Sequence, residues 1–375
     1  MTIGVLKEPS FETRVSLLPD AVASLTKKGI KVFIESDAGL SAFSTNSDYE
    51  KAGGVIAEKN AVVNASEVLL SLQTPETNSI KSGSGSPKIL IGVYQPLFNQ
   101  QLMKDWAAAN ISCFSLDMLP RTTRAQSMDV LSSQANIAGY KSVLLAANLY
   151  SRYFPMFMTA AGSIAPAKLL ILGAGVAGLQ AVATARRLGA VVEVFDTRPA
   201  VKEEVMSLGA KFVEVEGAAD ASKAGGYAVE QSPEFIAKQK ARIAESIAKS
   251  DIVITTAQIP GKKAPILITT EMITAMRSGS VIIDIAAATG GNTELTKNNE
   301  TVLYNGISIV GNSALAASMP ADASKLYGKN VMNFLQLITD KEGNVNLNWE
   351  DDLVKGACIT NDGKIVNDRV NQLLQ

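Results

Sequence analysis

The stretch that decides the fold is Lys168-Leu-Leu-Ile-Leu-Gly173-Ala-Gly175-Val-Ala-Gly178, in which G-x-G-x-x-G directly follows a short apolar run. A helical pattern from Leu179 to Leu188 comes next. The first glycine permits a tight turn, the second lets the backbone approach a pyrophosphate, and the third allows close packing of helix on strand. The spacing alone is a weak signal, but a strand before it and a helix after it are typical of dinucleotide binding. The candidate phosphate contacts are Gly173, Ala174, Gly175, Val176 and Gly178.

An acidic residue follows at the distance that this pattern requires. The segment Val191-Val-Glu-Val-Phe195 predicts the next strand, and Asp196 closes it. A carboxylate there can accept hydrogen bonds from the ribose hydroxyls of NAD(H) and repels the 2′-phosphate of NADP(H). Arg198 leaves NADP(H) open as an alternative, because an arginine could pair with that phosphate. NAD(H) is the expected cofactor, with Asp196, Thr197 and Arg198 as candidate contacts; a tight turn without a ligand is the structural alternative.

Short apolar runs alternate with helical patterns on both sides of this segment, which predicts parallel sheets covered by helices. The predicted strands are Thr2–Leu6, Lys31–Ser36, Val68–Leu72 and Ile89–Val93 in the first third, then Lys168–Leu172, Val191–Phe195, Lys211–Val215, Asp251–Thr255 and Ser280–Ile285. Pro19 to Lys28 predicts a helix with Gly29 as its C-cap. The segment Lys81-Ser-Gly-Ser-Gly-Ser86-Pro87 predicts a loop.

Two long helical patterns, Gln126 to Tyr150 and Ala321 to Thr339, bracket the second series. They suggest that the C-terminal residues return to the first domain. The sequence therefore predicts an α/β chain with two Rossmann-like parallel-sheet domains joined by two long helices. The first domain is expected at 1–132 plus 312–375, and the nucleotide-binding domain at 133–311.

Composition excludes several classes of function. The 375 residues suffice for about two domains, and a net charge of −1 gives no electrostatic basis for binding nucleic acid or an anionic membrane. No run reaches the ~18 apolar residues of a membrane span, and the first residues lack a signal-peptide pattern, so direct membrane insertion is not expected. The chain has no histidine, which excludes imidazole acid–base catalysis and His-ligated metals. Cys113 and Cys358 fit no metal-ligand spacing and are interpreted as reduced thiols; no metal site is expected.

Several segments closely resemble the NAD(H)-binding component of proton-translocating nicotinamide nucleotide transhydrogenases. The longest is Leu119-Pro120-Arg121-Thr-Thr-Arg124-Ala-Gln126-Ser-Met-Asp129-Val-Leu-Ser132-Ser-Gln-Ala-Asn136-Ile-Ala-Gly139-Tyr140. Others are Ile3-Gly4-Val5, Glu12-Thr13-Arg14-Val15, Phe195-Asp196-Thr197-Arg198-Pro199, Thr256-Ala-Gln258-Ile-Pro260-Gly261 before Ala264-Pro265, and Asp284 through Gly290-Gly291-Asn292. The resemblance spans nearly the whole chain.

The resemblance implies direct hydride transfer between NADH on this chain and NADP⁺ on a partner domain, with membrane-spanning partner subunits that move protons. It also implies a homodimer, located in the cytoplasm and held at the inner membrane only through those partners. Direct transfer between two nicotinamides needs binding and orientation but no protein base. That chemistry suits a chain without histidine.

The resemblance also assigns site residues. Arg121, Asp129 and Ser132 would hold the nicotinamide carboxamide and its ribose, with Thr122 and Thr123 beside them. Gln126 would point across the interface toward the second nucleotide. Asp129 and Ser132 lie three positions apart, on one face of a helix start. The structural alternative is an ion pair between Arg121 and Asp129, with Ser132 in a helix cap.

Further contacts are implied downstream. The segment Glu216 to Tyr227 is rich in small residues, and the family has a mobile lid here, whose tyrosine Tyr227 would match. Gly226, Gln239 and Gln258 lie where the family contacts the nucleotide. A loop without a functional role is the alternative for residues 216–227.

Two other functions compete with the transhydrogenase interpretation. Alanine dehydrogenases share much of this pattern, and Arg14 resembles their substrate-carboxylate arginine. Their catalytic lysine and histidine are missing, however, because the corresponding neighbourhoods contain Ser71 and Gln95. Without such groups, oxidation of an amino acid has no evident proton acceptor. The second competitor is a nucleotide-binding regulatory module without a redox role.

Overall fold

The computed structural model of the protein describes residues 1–80, 88–215, 217 and 232–374. The chain divides into two compact units by its internal contacts. Unit 1 comprises Met1–Gln134 and Ala317–Gln375, and unit 2 comprises Ala135–Ala316. Each unit has a largely parallel sheet flanked by helices, which confirms the predicted α/β class with Rossmann-like domains.

The strands of the described residues fall into an eight-stranded sheet, a seven-stranded sheet and a separate two-stranded hairpin. Their bounds are β1 (Thr2–Val5), β2 (Lys31–Glu35), β3 (Val55–Ala57), β4 (Val68–Leu70), β5 (Lys88–Gly92), β6 (Ile111–Ser115), β7 (Phe157–Thr159), β8 (Gly162–Ile164), β9 (Lys168–Leu172), β10 (Val191–Phe195), β11 (Lys211–Phe212), β12 (Ile252–Thr255), β13 (Val281–Asp284), β14 (Glu300–Tyr304), β15 (Ile307–Gly311), β16 (Cys358–Asn361) and β17 (Lys364–Ile365).

The helices are mostly short, apart from α6, α9 and α11. Their bounds are α1 (Pro19–Thr26), α2 (Asn46–Lys51), α3 (Lys59–Ala65), α4 (Thr77–Ile80), α5 (Gln100–Ala108), α6 (Val130–Leu149), α7 (Val176–Arg187), α8 (Lys202–Ser207), α9 (Pro233–Ala248), α10 (Thr270–Thr274), α11 (Pro320–Leu337), α12 (Asp352–Ala357) and α13 (Asp368–Gln372).

The sheet of unit 1 has the order β17-β16-β6-β5-β4-β1-β2-β3. Strands β1 to β6 are parallel, whereas β16 runs antiparallel to β6 and to β17. Helix α11 packs on this sheet, because Tyr327, Val331 and Phe334 belong to the same buried cluster as Ile3 and Phe114. The C-terminal residues therefore complete the core of unit 1.

The sheet of unit 2 has the order β11-β10-β9-β12-β13-β15-β14, with only the β14–β15 pair antiparallel among the described strands. Its central strands are buried along almost their full length, as expected for a sheet covered on both faces. The order reverses between β9 and β12, which are direct neighbours. Ligands of such sheets bind beyond the carboxyl ends of the strands at this reversal.

The predicted strands are present, several of them one or two residues shorter, and β11 keeps only Lys211–Phe212. The predicted helix start at Gln126 is wrong, because Thr123–Met128 forms a 3₁₀ helix and α6 begins at Val130. Helix α7 begins at Val176 rather than Leu179, since the last glycine of the pattern is already helical. Helix α1 ends at Thr26, and α11 is Pro320–Leu337. The predicted loop at 81–87 lies outside the described residues.

Candidate dinucleotide-binding site

The turn between β9 and α7 depends on glycine at two positions. Gly173 has a φ of +108°, and a Cβ there would lie 2.4 Å from Thr256 Oγ1. A Cβ on Gly178 would lie 1.8 Å from the carbonyl oxygen of Gly173. Both distances are far below van der Waals contact, so the turn closes tightly only because neither residue has a side chain.

Gly175 has a different role. Its φ of −79° suits any residue, and a Cβ there would meet no atom of the described residues within 4 Å. It is the N-cap of α7, and within the described portion of the chain no side chain caps the helix at this point. The first N–H groups of α7 therefore remain available to an anion at the positive end of the helix dipole. Open space above a glycine, beside these donors, fits the pyrophosphate of a dinucleotide.

Asp196 lies at the end of β10, next to this turn. Its Oδ2 accepts a hydrogen bond from the Ala174 N–H at 2.7 Å, so the carboxylate holds the turn in place. Arg198 donates its backbone N–H and Nε–H to Oδ1, at 2.8 and 2.9 Å, and its Nη2 to Oδ2 at 2.8 Å. The hydrogen bond to Asp196 raises the pKa of the Arg198 guanidinium, which stays a cation.

The ion pair covers the acid. The side chain of Asp196 is 7% exposed and that of Arg198 is 18% exposed. Four donors use about all of the acceptor positions of a carboxylate. A ribose diol could reach Asp196 only after the Arg198 side chain moves aside, so both residues influence which nucleotide binds. Thr197, between them, is half-buried.

The loop after β12 forms the other side of the strand reversal. Thr256 Oγ1 donates to the Gly173 carbonyl at 3.1 Å, which joins the two loops. Gln258 follows and is exposed at this edge. Gln239 is half-buried on α9. Gly226 and Tyr227, the proposed lid residues, lie outside the described residues.

Asn292 positions this loop, a role that the sequence alone did not reveal. Its Nδ2 donates to the carbonyls of Ala257 and Pro265, at 2.9 and 2.8 Å, and its Oδ1 accepts the Ala257 N–H at 3.0 Å. Asp284 at the end of β13 accepts the Asn292 N–H at 2.6 Å. Both side chains are fully buried. The only signal was their place in segments that resemble the family.

In unit 1, Asp129 and Ser132 meet at the start of α6. The Oδ1 of Asp129 accepts the Ser132 N–H at 2.9 Å, and its Oδ2 accepts the Ser132 hydroxyl at 2.6 Å. Asp129 is therefore the N-cap of α6, which agrees with one element of the structural alternative considered from sequence. Arg121, Thr122, Thr123 and Gln126 precede this cap and are exposed. An exposed Gln126 is available to a partner.

A buried polar cluster lies beyond the carboxyl ends of β1 and β4 in unit 1. Glu12 accepts Nε and Nη2 of Arg14 at 2.8 and 2.6 Å, and Arg14 Nη1 donates to Gln134 at 2.8 Å. Gln73 Nε2 donates to Glu12 at 2.9 Å. The guanidinium of Arg14 is thus paired with groups of its own chain rather than presented to a small carboxylate. Glu12 and Gln73 were not singled out by the sequence.

Glu8 adds a second buried acid to this cluster. Its carboxyl oxygens accept the backbone N–H groups of Leu72 and Gln73 at 2.6 and 2.9 Å. Burial raises the pKa of Glu8 to about 8, although these two hydrogen bonds lower it. Nearby, the Ser71 hydroxyl is bonded to the buried Tyr94 hydroxyl at 3.0 Å. The neighbourhoods of Ser71 and Gln95 contain polar groups suited to packing, not to proton transfer from a substrate.

Two general properties follow from the described residues. None of the helices that they form combines the length and apolar character needed to cross a membrane. Among the same residues, no group of three or more cysteine, aspartate or glutamate side chains is arranged to hold a metal ion.

Two protein-family models match the sequence, and together they span most of it. The N-terminal domain of alanine dehydrogenase/PNT matches residues 4–138, and the C-terminal domain of alanine dehydrogenase/PNT matches residues 142–368. The chain belongs to the alanine dehydrogenase/PNT family. Membership implies binding of a nicotinamide nucleotide and an oxidoreductase role, in agreement with the geometry of the turn after β9.

Within the alanine dehydrogenase/PNT family, the chain is more similar to transhydrogenases than to alanine dehydrogenases. It is 43% identical over 372 residues to an NAD(P) transhydrogenase subunit alpha protein of Rickettsia prowazekii, covering 98% of this chain and 96% of that protein. The crystal structure of transhydrogenase from Sinorhizobium meliloti matches with a TM-score of 0.88 and 42% identity, over 98% of this chain and 100% of that one. An alanine dehydrogenase of Staphylococcus epidermidis is 26% identical over 350 residues, covering 91% and 88%.

Proposed function

We propose that this chain is the NAD(H)-binding component of a proton-translocating NAD(P) transhydrogenase. Hydride would pass directly between NADH on this chain and NADP⁺ on a partner domain, and membrane-spanning partner subunits would couple the transfer to proton movement. The observation that supports this most is the nucleotide turn with Asp196 beside it, in a chain 43% identical to a transhydrogenase alpha subunit. Such a chain would work in the cytoplasm, on the inner membrane only through its partners.

The choice of NAD(H) over NADP(H) rests on charge. Asp196 lies at the turn, where the adenosine ribose of a dinucleotide is expected. A 2′-phosphate would bring two negative charges toward a carboxylate of low exposure. Arg198 reduces this repulsion without removing it, since it already neutralises Asp196 in the structure.

In this proposal, the chain binds and orients the nicotinamide and excludes water. Arg121, Asp129 and Ser132 would hold the carboxamide and ribose, and Thr122 and Thr123 would lie beside them. The Asp129–Ser132 cap fixes both side chains at the start of α6, so their polar atoms are pre-positioned. Gln126 is exposed and would contact the partner domain. Bound NADH would supply the hydride, so no residue of this chain has to accept a proton.

Two neighbouring arginines give a matched test of these roles. Arg121→Ala should reduce hydride transfer to a purified NADP(H)-binding domain by about a hundredfold, as expected when a reacting group is misplaced by ~1 Å. Arg124 lies three residues away, is exposed, and pairs with Asp351 instead. Arg124→Ala should leave the rate within about twofold. Equal losses in both variants would contradict the assignment of Arg121.

The assay also separates this function from its alternatives. The isolated chain should bind NADH but oxidise no alanine, because Arg14 is paired with Glu12 and no lysine or histidine replaces Ser71 and Gln95. Turnover of alanine at an enzyme-like rate would contradict the proposal. NADH binding with no hydride transfer to any NADP(H)-binding domain would point to a regulatory module.

Two finer features complete the proposal. We expect a homodimer, since twofold association is the commonest form of oligomer. We also expect Gly226, Tyr227, Gln239 and Gln258 to contact bound NAD(H), with residues 217–230 forming a lid over the nucleotide. Slower hydrogen exchange of that segment on addition of NADH would support the lid, and unchanged exchange would contradict it.

A further inference from the structure

A short hairpin in unit 2 exposes an unusual amount of apolar surface. Strands β7 and β8 pair only with each other, in the register Phe157↔Ile164. Every residue from 156 to 165 is exposed. Five large apolar side chains in and beside the hairpin are between 43% and 77% exposed: Tyr153, Met156, Phe157, Met158 and Ile164.

The hairpin is anchored at its base but not covered along its length. The Ala167 N–H donates to the Phe154 carbonyl at 2.9 Å, and both residues are buried in the core of unit 2. Tyr153 and Phe157 stack at 4.4 Å between ring centroids, yet both rings remain about half exposed. An isolated two-stranded hairpin is at best marginally stable in water. A hairpin of three residues per strand therefore indicates that another surface packs on it.

The area is sufficient for a real interface. At roughly 200 Å² for a fully exposed large side chain, the five residues present about 500 Å² of apolar surface. That is near the upper limit for the largest patch on a monomer and more than half of the ~800 Å² per partner in a standard interface. The backbone edges of β7 and β8, unpaired on their outer sides among the described strands, would add to it.

The charge of the segment favours a second copy as the partner. Residues 153–166 contain no charged side chain. A twofold contact places a patch against itself, so a neutral apolar patch is compatible with its own copy, whereas a charged one is not. Contact with a membrane surface would instead require basic residues to meet anionic lipids, and the segment contains none.

We propose that the hairpin Phe157–Ile164, with Tyr153 and Met156, forms the interface between two copies of this chain. The proposal rests on the homodimer proposed above and specifies its surface. Equivalent strand edges of the two copies can pair across the twofold axis while their apolar side chains pack together. Natural edge strands avoid such pairing with charges or prolines, and neither occurs within the two strands.

Sedimentation equilibrium of the full chain at micromolar concentration tests this surface with a matched pair of variants. Met158 is 77% exposed on the hairpin, and Leu303 is 73% exposed on β14, the edge strand of the main sheet. Met158→Lys should raise the dimer dissociation constant by about a thousandfold, because the twofold axis places each change in the interface twice. Wild type and Leu303→Lys should sediment at twice the chain mass of 39.6 kDa.

Other outcomes have distinct meanings. NADH titration checks that each variant is folded, and Ile164→Lys replaces Met158→Lys if that variant does not fold. A monomeric wild type contradicts both the homodimer and this surface, including the case in which it co-floats with anionic lipid vesicles. Dimers in all variants, or loss of the dimer only in Leu303→Lys, contradict this surface alone. A dimeric Met158→Lys that no longer transfers hydride to the NADP(H)-binding domain would assign the hairpin to that domain instead.

Discussion

Replacement of Asp196 by asparagine should shift the nucleotide preference toward NADPH. Asparagine keeps an oxygen that can accept the Ala174 N–H, so the turn after β9 should survive, while the negative charge is lost. Two unit charges about 4 Å apart interact by about 4 kcal/mol at an effective dielectric constant of 20. Arg198, within hydrogen-bond distance of both carboxylate oxygens, offsets roughly half of this. A remaining ~2 kcal/mol corresponds to about thirtyfold in affinity for NADPH.

Titration of NADH and NADPH at one fixed salt concentration measures the effect, and the ratio of the two dissociation constants is the quantity to compare. In Asp196→Asn the NADH preference should fall by at least about tenfold. Arg198→Gln is the opposing variant. It removes the cation and leaves the carboxylate, so the NADH preference should rise. If the ratio is unchanged in Asp196→Asn, the carboxylate does not face the adenosine ribose and the reasoning is refuted.

Three further predictions follow from individual contacts. Gly175→Ala should leave the free energy of unfolding within about 0.5 kcal/mol but weaken NADH binding at least about tenfold, whereas Gly178→Ala should destabilise the fold by about 1–3 kcal/mol, in urea unfolding and NADH titration; equal stability of both variants would contradict the assigned glycine roles. The ordinary pKa of a glutamate is 4.5 and that of Glu8 in the fold is about 8, so its contribution to stability is complete below pH 4.5 and is lost as the pH rises through 8. Glu8→Gln should flatten the fall in stability between pH 6 and 9, and an identical pH dependence in both proteins would argue against a protonated Glu8. Gln126→Asn should slow hydride transfer to the partner domain with an NADH dissociation constant within about twofold, and a collapse of NADH affinity would show that Gln126 contacts NADH instead.

The features that sequence predicted well depend on neighbours close along the chain. The turn after β9 is an example, because Gly173, Gly175 and Gly178 meet their own turn and its adjacent helix. Asp196 was placed by its position after a strand, and its hydrogen bond to Ala174 spans only two neighbouring strands. A periodic pattern and a glycine spacing therefore suffice for this portion of the site.

The features that sequence missed depend on residues far apart. Strand β16 pairs with β6 across most of the chain, and nothing in either short segment identifies the other. Asn292 holds the loop at Ala257, 35 residues earlier, through side-chain hydrogen bonds. Glu8 meets Leu72 in the same way.

Local rules also compete at helix ends. Residues 126–128 have a helical pattern, but Asp129 caps the next turn and separates the 3₁₀ helix Thr123–Met128 from α6. An aspartate within an apolar period can start a helix or lie on its surface, and only the hydrogen bond to Ser132 distinguishes the two.

The most direct measurement of the central claim is hydride transfer from NADH to NADP⁺ by the intact chain mixed with a purified NADP(H)-binding transhydrogenase domain. The chain should transfer hydride with no added metal or further cofactor, and Gly175→Ala should lower the rate in proportion to its loss of NADH affinity. Alanine with NAD⁺, supplied to the same preparation, should give no NADH. A chain that binds NADH, transfers nothing to the partner domain and oxidises alanine would contradict the account.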